Sequence, residues 1–219
     1  MSRTKTVHLT ISKGRLRCLR IAFVGWVLAV VSPNVVSFLW TIMTAMLFAN
    51  EDAAERTARI RMVFPVIEVL LVFVSAPIGA AGVMAARAAI REKNASRMTV
   101  GTSVLLAVLG VALLIVSILL VTVRYVGTDL GDMGALRHAI GSLIALTIAS
   151  SLVRVDRAQN ASTFAFFLLI AAGASNLAMH VLGSTPALAV MTGLLSLGGW
   201  TATAVALRRA QPASEPLSR

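Results

Sequence analysis

Charged residues are scarce in this chain. They make up 13% of its 219 residues, whereas soluble domains average about 25%. The apolar residues reach 58%, above the roughly 45–50% that is typical of soluble domains. This composition excludes an ordinary soluble enzyme and a disordered chain, and it indicates a membrane protein.

Cysteine, lysine and catalytic motifs are scarce as well. Cys18 is the single cysteine, which excludes a disulfide framework. Lys5, Lys13 and Lys93 all lie outside the long apolar runs, which excludes a lysine Schiff base inside the membrane. The chain has no P-loop and no H-E-x-x-H, G-x-S-x-G or C-x-x-C motif. The sequence therefore assigns no catalytic residue, leaves any cofactor unknown and argues against an enzyme.

Long runs without charge are what the chain does have. About 20 apolar residues in a helix cross the hydrocarbon core of a bilayer, and helices satisfy the backbone hydrogen bonds there. Between Arg157 and Arg208 the charge-free run is long enough for two crossings, and Thr185 and Pro186 provide a helix start within it. We predict an all-α, polytopic bundle of six membrane spans, near residues 21–49, 63–87, 99–123, 135–153, 162–182 and 187–207.

The basic residues alternate between the segments that join these spans. Fifteen of the twenty lysines and arginines fall in the tail 1–20, the second and fourth connections and the tail 208–219. The positive-inside rule then places both termini in the cytoplasm and predicts an integral protein of the plasma membrane. The net charge of +11 is thus an orientation signal that can hold anionic lipids, not a sign of a nucleic-acid partner. We expect the tail 208–219 to be disordered.

A few polar residues inside or beside the spans are the candidates for function. Glu68 is the one acidic residue within a span, and intramembrane ionisable residues are functional suspects. Topology places Arg137, His138, Asn176 and His180 at a similar depth. Together they could form a substrate or proton site, and Glu68, His138 and His180 are weak metal-ligand candidates. Alternatively, Glu68 stays near the interface, hydrated or paired with Arg61, Arg124 or Arg137.

Two prolines fall near the middle of predicted spans. Pro33 is followed by Asn34 in the first span, and Pro77 lies in the second. Proline interrupts the hydrogen-bond ladder of a helix, and broken helices line the midplane sites of many transporters. We predict that Pro33 and Pro77 kink their helices and that Asn34 belongs to a substrate site; tolerated kinks without a function are the alternative.

Small residues recur along several predicted helix faces. Gly82 and Ala86 share a face of the second span, as do Ala107 and Gly110 in the third and Gly141, Ala145 and Ala149 in the fourth. Such faces let membrane helices approach closely. They predict packing within the bundle, or contact with a second copy of the chain or with a partner membrane subunit.

Two connections show further local patterns. The sequence R-x-x-N-A-S occurs at 91–96 and again at 157–162, and in both we expect the serine to start the following helix. The segment from Asn50 to Arg61 reads as a short helix with Asn50 as its cap and with Asp52–Arg56 and Glu55–Arg59 as ion pairs.

These observations predict a small-solute transport or binding module with a polar site in the outer third or at the midplane. A non-catalytic accessory or regulatory subunit of a membrane complex is the alternative. A metal-dependent integral membrane enzyme is a third hypothesis. The sequence identifies neither the ligand nor the oligomeric state nor the order of the helices, and it does not show whether Glu68, His138 and His180 meet.

Overall fold

The structure, a computed structural model, describes residues 11–92, 95–126, 133–183 and 185–210, with the side chains of 124–126, 133–135, 180 and 182 outside the description. Most of these residues are helical, and the described part of the chain contains no β-strand. The helices are α1 (Lys13–Leu47), α2 (Ala53–Arg61), α3 (Phe64–Arg91), α4 (Arg97–Val126), α5 (Met133–Leu152), α6 (Gln159–Leu182) and α7 (Pro186–Arg209). One 3-10 turn, Asp156–Ala158, precedes α6. We expect disorder over 208–219, but Arg208 and Arg209 belong to α7. Residues 211–219 lie outside the described residues.

The long helices correspond one to one with the predicted spans. Five are long and apolar enough to cross a membrane, α3 being counted together with the short α2. The sixth, α5, has a shorter apolar part, Leu136–Leu152, at the lower limit of about 17 residues for a crossing. The all-helical architecture is therefore confirmed, with five or six helices that are long and apolar enough to span a membrane. The placement of both termini in the cytoplasm stays a prediction.

Helix α1 begins at Lys13, eight residues before the predicted span. Ser12 is its N-cap, and the Ser12 hydroxyl accepts a hydrogen bond from the Arg15 backbone N–H at 3.3 Å. Leu16, Leu19 and Phe23 are all buried on one face of this extension. The last part of the basic tail 1–20 is thus a packed turn of helix, while residues 1–10 lie outside the described part of the chain.

The helices pack as two hairpins joined by α5. The most extensive contacts are between α3 and α4 and between α6 and α7. Helix α1 lies mainly on α3, and α5 packs between α4 and α6. One main core contains buried residues from α1, α3, α4, α5 and α7.

Small residues bring α3 and α4 into close contact. A Cβ atom added to Gly82 would lie 2.8 Å from the Leu106 carbonyl oxygen and 2.9 Å from the Ala107 Cα. One added to Gly110 would lie 2.9 Å from the Gly79 Cα. These positions carry glycine because the two backbones touch there. Nearby, the Ser75 and Ser117 hydroxyls form a buried hydrogen bond of 3.1 Å between the same helices.

The two copies of R-x-x-N-A-S have different structures. Ser96 caps α4 as predicted, since its hydroxyl accepts a hydrogen bond from the Thr99 backbone N–H at 3.1 Å. Ser162 instead lies within α6, where it is buried and its hydroxyl donates to the Ala149 carbonyl oxygen of α5. The prediction that Ser162 starts a helix is wrong, because the preceding 3-10 turn already leads into α6.

The predicted short helix after α1 is confirmed as α2, with different details. Asp52, not Asn50, occupies the N-cap position. Arg59 forms a bidentate ion pair with Glu51, with both contacts at 2.7 Å, where the sequence predicts Glu55. The Trp40 indole N–H donates to the Arg59 carbonyl oxygen at 2.9 Å and thereby ties α1 to α2.

Replacing Gly82 by valine tests the backbone contact of α3 with α4. Over-packing of this kind costs roughly 1–3 kcal/mol, so we expect Gly82→Val to lower the free energy of unfolding by about that much in detergent titrations. Gly101→Val is the matched control, because a Cβ at Gly101 in α4 meets no atom within 4 Å. Equal stability of the two variants would contradict the close contact.

Candidate functional site

The start of α1 and the end of α7 lie at the same end of the bundle, here called the terminal end; the opposite end is the far end. At the terminal end the Arg15 side chain is 4% exposed and forms an ion pair with Glu92 at 3.4 Å. The Arg15 guanidinium also donates to the Ser151 carbonyl oxygen of α5 at 3.4 Å, and the Ser12 backbone N–H donates to the Glu92 carboxylate at 3.3 Å. We call Ser12, Arg15, Glu92 and Ser151 the latch, since they join α1 to the ends of α3 and α5.

The charges in the latch suit the helix ends that they contact. Glu92 follows α3 and places a carboxylate at the N-terminus of α1, where free N–H groups attract negative charge. Arg15 meets a carbonyl oxygen in the last turn of α5, which lacks a partner within its own helix. The contacts are long for charge-assisted hydrogen bonds, which average about 2.7–2.9 Å. The latch therefore holds three helices together through loose contacts.

Helices α1 and α7 contact each other slightly deeper in the bundle than Arg15. Arg20 donates two hydrogen bonds, of 2.9 and 3.3 Å, to the Leu207 carbonyl oxygen. Trp26 and Trp200 stack edge to face with their ring centroids 4.9 Å apart. The Trp26 indole N–H is buried and has no hydrogen-bond partner among the described residues. On the far-end side of this pair of tryptophans, fewer residues of α1 and α7 are buried.

Burial in α1 and α7 is confined to the half of each helix at the terminal end. The buried residues of α1 lie between Arg15 and Trp26, with Thr44 as an exception. Those of α7 begin at Gly199. In the other half of α7, Val190 and Leu194 are 63% and 66% exposed. The bundle is closed at the terminal end, and toward the far end these two helices are covered only on the sides that face α3 and α6.

One side of α1 passes from the core to an uncovered surface. Asn34 and Thr41 lie eleven and eighteen residues after Phe23, close to whole numbers of helical turns, so the three share a side. Phe23 is buried in the main core, whereas Asn34 and Thr41 are exposed. We call this surface the uncovered side of α1. Val24, Leu28 and Val35 lie on a different side, which is exposed along the whole helix.

Two predicted site residues interact electrostatically near the far end. Glu68 is half-buried near the start of α3, and Arg137 is half-buried near the start of α5. The Glu68 carboxylate acts on the Arg137 guanidinium as a favourable charge. Two opposite charges in partly buried surroundings attract each other several times more strongly than in water. The structure thus places a carboxylate of α3 and a guanidinium of α5 within electrostatic range of each other at this depth.

The remaining polar candidates lie on surfaces. His138 is exposed beside Arg137, and Asn176 is exposed on α6. The backbone of His180 belongs to α6, and its side chain lies outside the described residues. Among the described side chains, no group of three or more His, Cys, Asp and Glu lies close enough together to hold a metal ion.

Both mid-span prolines lie inside continuous helices. Helix α1 passes through Pro33 and α3 passes through Pro77. Asn34 donates from its side-chain amide to the Val30 carbonyl oxygen at 2.7 Å, one turn back from the proline step. This bond uses one of the two side-chain amide hydrogens of Asn34 within its own helix.

Sequence reasoning missed the latch. Arg15, Arg20 and Glu92 read as part of the orientation signal, although the first two bind carbonyl oxygens within the bundle. The apolar spacing of Leu16, Leu19 and Phe23, carried back from the span, was the signal that the helix starts before Arg20. No family model, no curated protein and no solved structure matches this chain.

Replacing Glu92 by glutamine tests whether the latch holds the terminal end closed. The change leaves the buried Arg15 guanidinium without its counter-charge, which we expect to cost about 1–2 kcal/mol, less than the roughly 3–5 kcal/mol of a fully buried pair. Cys18 is buried one turn from Arg15 and is the single cysteine of the chain. We expect its rate of maleimide labelling in detergent to rise about tenfold, since about 1.4 kcal/mol corresponds to a tenfold change in the open population.

Glu51→Gln is the matched control for this experiment, because it removes a second Arg–Glu ion pair of the described residues, that of Arg59 at the far end. We expect it to leave the labelling of Cys18 unchanged, and Cys18→Ala to abolish labelling. An unchanged rate in Glu92→Gln would show that the latch does not keep this end closed.

Proposed function

We propose that the protein is a small-solute binding or transport module of the membrane. Its solute site lies on the uncovered side of α1, above the Trp26–Trp200 pair. The observation that carries the proposal is the asymmetry of packing: buried residues of α1 and α7 gather at the terminal end, and toward the far end the same helices are covered only on the sides that face α3 and α6. A bundle that is closed at one end and open at the other has the form of one state of an alternating-access transporter.

The polar groups near this surface support a solute site. Asn34 uses one amide hydrogen for the Val30 carbonyl oxygen, so its carbonyl oxygen and second hydrogen can meet a ligand. The Trp26 indole N–H is a further donor below it. In this proposal the pair of Glu68 with Arg137 acts as a polar gate at the far end, with Glu68 as a proton acceptor when the pair separates. Each role follows from ordinary hydrogen-bond and charge chemistry.

Single cysteines on α1 test whether the uncovered side is water-filled. In a Cys18→Ala background, we expect Asn34→Cys to react with a charged, membrane-impermeant thiol reagent in proteoliposomes, because a solute path contains water. Val35→Cys is the matched control, since it is adjacent, equally deep and 47% exposed, but on the side shared with Val24 and Leu28. We expect it to be unreactive because lipid covers it.

Protection of both cysteines would contradict the solute path. It would favour the second candidate function, an accessory subunit in which a partner helix covers the uncovered side of α1. The exposed Asn34 amide supports that candidate, because polar side chains in membranes hydrogen-bond between helices. Disulfide cross-linking of the Asn34→Cys chain to a second copy, or its co-purification with one stoichiometric partner, would then identify the covering helix.

Replacing Glu68 by glutamine tests the proposed gate. We expect wild-type protein to gain thermal stability with members of a small-solute library, since a ligand that binds the folded state stabilises it. Glu68→Gln should remove the pH dependence of that gain, because a glutamine side chain cannot accept the proton. Glu51→Gln is the control, because it removes a different carboxylate at the far end. A pH dependence that Glu68→Gln leaves intact would exclude Glu68 as the proton acceptor.

A further inference from the structure

We propose that the corner of the bundle where α1 meets α7 binds the phosphate headgroup of an anionic phospholipid. The corner consists of Arg17 and Arg20 on α1 and Arg208 and Arg209 on α7, here called the arginine corner. All four residues are exposed. The proposal concerns the terminal end alone, and it holds whether or not the uncovered side of α1 binds a solute.

Two contacts bring the arginines of the corner together. Arg20 donates to the Leu207 carbonyl oxygen, and Trp26 stacks on Trp200, so α1 and α7 run antiparallel with a defined register. That register places Arg17, one turn before Arg20, at the level of Arg209. Both nitrogens that Arg20 uses, Nε and Nη2, bind the same carbonyl oxygen, so its Nη1 remains available to a ligand.

Acidic residues do not balance this corner. At the terminal end the structure describes two carboxylates, those of Glu92 and Asp156. Glu92 is engaged by Arg15. Asp156 belongs to the 3-10 turn that packs against α7, and its carboxylate is not free of interactions. At most one carboxylate therefore faces four arginines, which leaves the corner with a net positive charge that can attract an external anion.

The depth of the corner points to a lipid as the source of that anion. The charge-free run of α1 begins directly after Arg20, and that of α7 ends directly before Arg208. The arginines thus lie where the apolar part of the bundle ends, at the level of the phosphate groups of a bilayer. Arginine suits this ligand because its planar fork donates two parallel hydrogen bonds to phosphate oxygens, and clusters of basic residues beside spans bind anionic lipids.

Native mass spectrometry of the full-length protein, titrated with phosphatidylglycerol or phosphatidylcholine, tests the proposal. Each arginine near an anionic lipid contributes roughly a fivefold change in affinity. We therefore expect Arg17→Gln/Arg208→Gln/Arg209→Gln to weaken phosphatidylglycerol binding by at least about tenfold and to leave phosphatidylcholine binding unchanged. Inorganic phosphate at millimolar concentration should not displace the lipid, because it has no acyl chains to hold it against α1 and α7.

The matched control is Arg87→Gln/Arg91→Gln/Arg97→Gln, which removes three exposed arginines from the same end, on the hairpin of α3 and α4. We expect it to retain tight binding of phosphatidylglycerol. An equal loss in both triple variants would overturn the proposal in favour of diffuse attraction by the whole end. Equal affinity for the two lipids, or displacement by inorganic phosphate, would overturn it as well. None of the six side chains has a hydrogen bond or ion pair among the described residues, so both variants should fold.

Discussion

The burial of the Arg15 guanidinium is the interaction on which the rest of the bundle depends. A membrane bundle has no large hydrophobic drive between its helices, because lipid is as apolar as the core. Its helix ends also leave carbonyl and N–H groups without partners. Arg15 and Glu92 supply partners for the ends of α5 and α1, and Arg20 does the same for α7. Polar contacts at the terminal end thus add to the apolar packing of the core in holding the helix ends together.

This concentration of contacts explains why the molecule is asymmetric along its axis. Below the Trp26–Trp200 pair, α1 and α7 are held by hydrogen bonds and aromatic stacking. Above it, α1 is supported mainly by α3, through Val63, Ile67 and Leu71. A bundle anchored at one end can change the spacing of its helices at the other end without losing its core. That property suits a binding or transport module, and it suits equally a subunit that accepts a partner helix.

Close backbone packing provides the rigid part of the structure. The α3–α4 hairpin approaches to the distance at which Gly82 and Gly110 admit no side chain, and Ser75 and Ser117 bond across it. Helix α5 rests on this hairpin, and its Gly141 leaves room for the Trp26 ring, whose Nε1 would lie 3.3 Å from any added Cβ. Gly141 of α5 thus helps to position the pair formed by Trp26 of α1 and Trp200 of α7.

Much of the architecture could be predicted from residue type and spacing alone. Charge-free runs defined the six long helices, since hydrocarbon excludes charge, and Thr185 with Pro186 correctly predicted the start of α7. The candidate site was less predictable. Glu68 stood out as the one acid in a span, but its interaction with Arg137 depends on how α3 and α5 are arranged, which no local pattern encodes.

The sequence by itself determined where helices form and which end of each carries positive charge, because these depend on composition along one segment. Only the tertiary structure decided what the individual charges do. Arg15 and Arg17 are two residues apart in one basic segment, yet the first is buried against α3 and α5 and the second is exposed beside α7. Similarly, Ser96 and Ser162 share a hexapeptide pattern, but one caps a helix and the other bridges two. The physical reason is that a side chain's partners come from other helices, whose positions are set by the packing of the whole bundle.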